Sequence, residues 1–179
     1  MLTLETTLLI VIDVQGNLAR VVSGSETAIR AVSQLVEGAK LLDIPMLLTA
    51  QVPEKIGHTI PEVAGLLPDQ VDLPRVHFSI WQDPAVQQAI NSSGRRQLLL
   101  CGFEAHICLY QSSLDLIGED FEVYLAADAV SSRNPYNKEI ALRELSSQGV
   151  HLTTVEMALF SLLGSAQHPA FKLISRLIK

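Results

Sequence analysis

The stretch RQLLLCGFEAHICLYQSSLDLI, residues 96–117, decides how this chain is read. An apolar run from Gln97 to Cys101 meets Gly102 and passes within a few residues into an amphipathic helical pattern with Cys108 near its start. An apolar run of strand length, a glycine and then a 3.6-residue period predict a strand-to-helix turn. The first turn of a helix presents unpaired N–H groups and the positive end of the macrodipole, and both favour a thiolate. Cys108 is therefore the first candidate nucleophile, whereas Cys101, inside the run, reads as an inert small hydrophobe.

Similar units lie on either side. Thr7–Ile12 is a short β-branched run suited to a strand buried on both faces, and it ends at Asp13. Residues 25–42 carry a helical stripe of Ile29, Val32, Leu35, Val36 and Ala39, with Ser25 or Thr27 as cap. Residues 45–50 form the next strand candidate, and 51–70, punctuated by Pro53, Gly57, Pro61, Gly65 and Pro68, an irregular pocket loop. A short strand is predicted at 76–80, with Asp83 and Pro84 opening a helix to about Ser93. Beyond the central stretch, a strand at 121–127 ends at Asp128, Pro135 opens a helix that Gly149 stops, a strand covers 150–155, and helices at 156–163 and 169–178 close the chain.

Strand and helix alternate without repeats or a linker. That predicts an α/β fold, a three-layer α/β/α domain over residues 1–179 with a mainly parallel six-stranded sheet. Ligands of such sheets bind outside the carboxyl ends of the strands. Three segments arrive at that edge: Asp13, Arg75–Ser79 and Cys108.

Composition narrows the functional classes. A net charge of −6 with scattered basic residues indicates no nucleic-acid partner and favours a small-molecule substrate. Two cysteines seven apart form neither a disulfide framework nor a zinc motif, which suits a cytoplasmic protein. The run Leu8–Ile12 is too short for a signal peptide or a membrane span, so no membrane association is expected.

Six segments together resemble the isochorismatase-like cysteine hydrolases: LLIVIDVQ (8–15), TAQVPEKIGHTIPE (49–62), LPRVHFSIW (73–81), LLLCGFEAHICLYQSSLDLI (98–117), FEVYLAADAVSSR (121–133) and HPAFKLISRLIK (168–179). Within that family the chain is similar to the isochorismatase-domain proteins of uncertain substrate rather than to the nicotinamidases. The resemblance implies a Rossmann-like fold and a triad of Asp, Lys and Cys. Asp13 and Cys108 occupy two of its places: Asp13 takes the thiol proton, and Cys108 attacks a carbonyl to give a thioester-type intermediate that water hydrolyses. It further implies an oxyanion hole from the backbone N–H groups of Glu104 and Cys108, a cis peptide at Phe103–Glu104, and assembly into a dimer or larger homo-oligomer.

Two departures from the family stand out. Where relatives read Pro-Lys-Thr-x-Phe-Ser, this chain has Pro74, Arg75, Val76, His77, Phe78 and Ser79, so the triad cation is Arg75. Nicotinamidases carry an Asp-x-His pair in the loop after the second strand; here the loop offers Gln51, Pro53 and His58, which predicts no catalytic metal and no cofactor, with His58 a solvated loop residue. Gln15, Phe78, Trp81, Phe103 and His106 are expected to line the substrate pocket, with core or interface packing the alternative for the aromatics, and Asp128 to tie the following loop. The expected function is metal-independent hydrolysis of a small amide, ester or related C–N or C–O bond. The alternative is a catalytically silent homologue, with Arg75 in place of the lysine, acting as a binding or scaffold protein.

Overall fold

Leucine- and valine-rich runs without charge cannot leave either face in water, and the chain buries them at the centre of a parallel sheet. In the computed structural model, which describes residues Met1–Lys179, the strands are β1 (Thr7–Ile12), β2 (Met46–Gln51), β3 (Leu73–Arg75), β4 (Gln97–Phe103), β5 (Glu122–Ser131) and β6 (His151–Thr153), ordered 3-2-1-4-5-6. The sheet expected to be mainly parallel is parallel throughout. Its centre is the β1–β4 pair, in register from Thr7 opposite Gln97 to Ile12 opposite Gly102 and buried along its whole length.

The helices are α1 (Leu18–Val21), α2 (Ser25–Leu41), α3 (Pro53–Ile56), α4 (Pro61–Ala64), α5 (Pro84–Ser92), α6 (Tyr110–Gly118), α7 (Pro135–Ser147), α8 (Val155–Leu163) and α9 (Phe171–Leu177). A strand's side chains alternate between faces, so β1 feeds both cores. Leu9 and Val11 join the residues of α2, α8 and α9, while Leu8, Ile10 and Ile12 join those of α5, α6 and α7. These are the three layers. The apolar carboxyl-terminal segment is part of the first core: Ile174 is fully buried there, and the Gln34 side-chain amide donates to the Leu177 carbonyl at 2.7 Å.

The chain steps outward from β1 to β3 and returns to β4 on the other side of β1. The connections leaving the carboxyl ends of β1 and β4 therefore run to opposite faces of the sheet, the switch point at which doubly wound sheets bind ligands. Asp13 and the loop carrying Cys108 both emerge there.

Four elements differ from expectation. The third strand is Leu73–Arg75, and the predicted 76–80 strand is a turn leading into a single 3-10 turn, Ile80–Gln82. Side chains satisfy its backbone instead of a ladder: the Asp83 carboxylate accepts the Val76 and His77 N–H groups, and Arg75 donates to the His77 and Phe78 carbonyls. β5 continues past Asp128 to Ser131 because its pairing with β4 shifts register between Leu100 and Gly102. Asp128 accordingly holds not the next loop but the start of α8, accepting the Val155 N–H at 2.9 Å. At α2, Gly24 takes the cap position in the left-handed region and the Ser25 hydroxyl donates back to the Ala19 carbonyl, so neither predicted side-chain cap forms. The 51–70 loop holds two single-turn helices, α3 and α4, each opened by a proline at its first position.

Candidate active site

β1 ends because Asp13 leaves the extended region, with φ 53°, a left-handed conformation uncommon for a residue with a side chain. Its N–H still donates to the Thr49 carbonyl at 3.1 Å, and its Oδ1 accepts the Gln51 N–H at 3.2 Å, so the carboxylate is held against the end of β2. Arg75 closes β3 and turns its guanidinium inward. Nη2 pairs with Asp13 Oδ2, and both side chains are all but inaccessible. Nη1 serves the His77 and Phe78 carbonyls, while Nε is buried without a partner.

β4 passes close against β1 at Gly102. Its φ is +120°, and a Cβ there would stand 1.9 Å from the Ile12 carbonyl oxygen, so no other residue permits this approach. The Phe103–Glu104 peptide that follows is cis, matching the expectation. The chain then makes one π-helical turn, Ala105–Leu109, before α6. Cys108 lies in that turn, buried, with its thiol facing Asp13 and Arg75. The Glu104 N–H donates to no carbonyl of the chain.

Electrostatically the site differs from the thiolate that its helix position predicts. Burial, and then the Asp13 charge, push the Cys108 thiol up to about 12, against a smaller downward pull from Arg75. The carboxyl of Asp13 is itself raised above its ordinary range by burial, which outweighs the charge of Arg75 and the hydrogen bonds from Cys108, Arg75 and Gln51. The resting arrangement is a neutral thiol beside a carboxylate of increased proton affinity. Proton transfer between them needs no ion to be created from a neutral pair, because the Arg75 charge balances either location of the negative charge.

The other predicted site residues are spread around this centre. Gln15 is fully buried and spent on architecture: its Oε1 accepts the Gln51 N–H at 2.8 Å, and its Nε2 donates to the Gln51 and Gly57 carbonyls at 3.0 and 2.6 Å. Phe103 is fully buried in the core beneath α2, since alternation along β4 turns it to the same face as Leu99 and Cys101. Trp81 packs edge-on against Phe121, with ring centroids 5.5 Å apart, on the opposite face. Phe78 is half exposed and borders a cavity of about 570 Å³ with His77, Ser79, Gln111 and Asp115. His106 lines a second cavity of about 260 Å³ with Tyr110, Asn137 and Glu144, and its Nδ1 lies 2.9 Å from the Ser132 hydroxyl. Neither cavity is lined by Asp13 or Cys108.

His58 is largely exposed and pairs with Asp72 at 2.9 Å. Nowhere do three His, Cys, Asp or Glu side chains gather where an ion would sit. Sequence reading missed the side-chain role of Glu104, whose buried carboxylate is gripped by Arg133. The Ser-Ser-Arg at the end of β5 was the available signal, but only the register shift brings it to the site.

The sequence and the fold are shared with known proteins. A model described as the isochorismatase domain matches residues 7–157. The chain is 36% identical over 180 residues to the secreted isochorismatase effector Isc1 of Phytophthora sojae, covering 98% of this chain and 85% of that one. Among solved structures, a MAR1 ribonuclease from Caenorhabditis elegans superposes with a TM-score of 0.92 at 29% identity, covering 99% of this chain and 91% of that one. The Escherichia coli YcaC gene product, an octameric hydrolase of unknown specificity, gives the same TM-score of 0.92 at 23% identity, covering 99% and 88%, and attests the fold.

Proposed function

The chain belongs to the isochorismatase family, and on that premise we propose that residues 1–179 form a cysteine hydrolase that acts on small amides, esters or related C–N and C–O bonds without a catalytic metal. The observation that carries the reading is the meeting of Asp13, Arg75 and Cys108 at the carboxyl ends of β1 and β4, beside a Glu104 N–H that the chain itself leaves without an acceptor.

The reaction follows from that arrangement. Asp13 takes the Cys108 proton as Sγ attacks the substrate carbonyl carbon, and the carbonyl oxygen becomes an oxyanion accepting from the Glu104 and Cys108 N–H groups. The tetrahedral adduct collapses, Asp13 returns the proton to the departing amine or alcohol, and a thioester remains on Cys108. Asp13 then takes a proton from water as the water oxygen attacks the thioester carbonyl, the tetrahedral adduct expels the Cys108 thiolate, Asp13 returns the proton to that sulfur, and a carboxylic acid leaves. Arg75 stays charged throughout and supplies the positive potential that the family obtains from lysine.

The test is a panel of small amides and esters offered to the wild type, Cys108→Ala and Asp13→Asn, with intact-mass detection of an acyl adduct. Cys108→Ala loses about 10³-fold or more and Asp13→Asn about 10²–10⁴-fold. A Cys108→Ala protein that turns over at the wild-type rate ends the proposal.

One observation favours a second reading, a silent homologue that binds without turnover: the thiol is pushed up to about 12 while Arg75 ties up Asp13. Activity that appears only in Arg75→Lys, absent from the wild type, selects it. Assembly into a homo-oligomer and residence in the cytoplasm belong to the same proposal. The octameric YcaC product supports the former and two free cysteines the latter. No helix is long and apolar enough to cross a membrane. The Caenorhabditis elegans relative is named a ribonuclease, but a net charge of −6 speaks against a nucleic-acid substrate here.

A further inference from the structure

The segment Ser131–Arg133 at the end of β5 closes against the loop that carries Glu104 and Cys108, and nothing in the proposed chemistry uses it. The register shift between β4 and β5 sets Val130 opposite Gly102 and Ser131 opposite Phe103. The segment is anchored from behind: the Ser131 hydroxyl donates to the Ser23 carbonyl at 2.6 Å, and the Ser23 N–H donates to the Ser132 carbonyl at 2.9 Å. It then grips the neighbouring loop twice. The Arg133 N–H donates to Glu104 Oε2 at 2.7 Å, and its Nε lies 3.1 and 3.2 Å from the two carboxylate oxygens. The buried Ser132 hydroxyl lies 2.9 Å from His106 Nδ1.

A carboxylate bound by a backbone N–H and a guanidinium has its side-chain torsions fixed, and with them the position of its own Cα and amide. We infer that Ser132 and Arg133 are positioning residues that aim the Glu104 and Cys108 N–H groups at the substrate oxygen. This rests on the hydrolase reading for its purpose, though not for its geometry. Exposure separates placement from bulk stability. The Arg133 side chain is 61% exposed and the Glu104 side chain 5%. The largely solvated guanidinium makes a screened ion pair, yet removing it leaves the buried Glu104 carboxylate with one N–H partner, so Cys101 serves as the gauge of any general loosening.

The two cysteines make the test self-controlling. Wild type, Arg133→Ala, Arg133→Lys and Ser132→Ala are treated with iodoacetamide at pH 9, and alkylation of Cys108 and Cys101 is followed separately by peptide mass. Loosening the loop admits reagent to Cys108 alone, so Arg133→Ala is expected to raise the Cys108 rate about fivefold or more, by analogy with local opening, with Cys101 unmodified; Ser132→Ala moves in the same direction. Arg133→Lys restores most of the protection. On any substrate that the wild type hydrolyses, Arg133→Ala lowers kcat about tenfold with KM changed less than about twofold. A Cys108 rate within twofold of wild type in both alanine variants overturns the inference, as does parallel alkylation of Cys101, which would reveal general loosening. A wild type that hydrolyses nothing counts against the proposed function and leaves the alkylation result to decide this one.

Discussion

A guanidinium offers five N–H donors in a rigid fork, and at position 75 they are divided between a charge and a loop. One edge pairs with Asp13, while Nη1 holds the His77 and Phe78 carbonyls. A lysine in the same place reaches the carboxylate as a point charge but cannot make the second set of bonds. Arg75→Lys is thus expected to cost about 1–3 kcal/mol, the range for charged hydrogen bonds, read as a lower urea midpoint at unchanged slope. Removing the other partner is worse. Asp13→Asn leaves a buried guanidinium without its counter-charge and is expected to cost about 3–5 kcal/mol, whereas Cys108→Ala, which strands no charge, stays close to wild type. Equal midpoints for Asp13→Asn and Cys108→Ala would contradict the ion pair as the core of the site. That Asp13 and Cys108 arrive at the same edge of the sheet was legible in the sequence, because each ends or follows a recognisable apolar run. The division of Arg75's donors was not legible, since it depends on where the 76–79 backbone lies after folding.

At the scale of elements, the close approach of β4 to β1 is what brings the loop after one strand against the carboxylate after the other. Gly102 permits it. Gly102→Ala would set a methyl group 1.9 Å from the Ile12 carbonyl oxygen at a φ of +120°, and neither backbone can yield without breaking the central ladder. The expected outcome is a protein that fails to fold or loses about 4 kcal/mol or more, judged by circular dichroism and urea titration; a soluble variant of wild-type midpoint would remove the close approach from the account. Asp128 illustrates a smaller dependence. It accepts the Val155 N–H while Thr154 accepts that of Met157, so the first turn of α8 has two side-chain acceptors, one from β5 and one from its own N-cap. Asp128→Ala is expected to cost about 1 kcal/mol, as for lost caps, a shift checked by thermal melting. The continuous apolar runs and the 3.6-residue patterns located these strands and helices to within a few residues. They misplaced β3 and cut β5 short, because the Asp83 carboxylate takes the place of a ladder in one and a register shift prolongs the other.

For the whole molecule, burying two thiols links stability to pH. The Cys108 thiol is raised from its ordinary 9.0 to about 12 in the folded protein, so the contribution from keeping it neutral is complete below about pH 9 and disappears as pH climbs toward 12. Cys101 shifts in the same direction through burial and the nearby Asp128 charge. The urea midpoint is therefore expected to fall steadily above pH 9, and less steeply in Cys108→Ala; superimposable profiles would show that Cys108 is not held neutral by the fold. Assembly is the second property of this scale. Val76 and Phe78 remain exposed close to Arg75 in the chain, and light scattering is expected to report a mass above the 19.5 kDa of one chain.

What the sequence determined by itself is local: the alternation of buried strands and amphipathic helices, the parallel sheet that this alternation requires, and an aspartate and a cysteine at strand ends. Tertiary structure decided which groups meet. It buried the thiol deeply enough that desolvation overrides the helix start, turned Phe103 and Gln15 into core and scaffold, and carried Ser132 to His106 and Arg133 to Glu104 across a shifted ladder. The reason is physical. Periodicity and turn chemistry act between neighbours along the chain, but dielectric environment and hydrogen-bond partnership are set by atoms that share a place only after the sheet has closed.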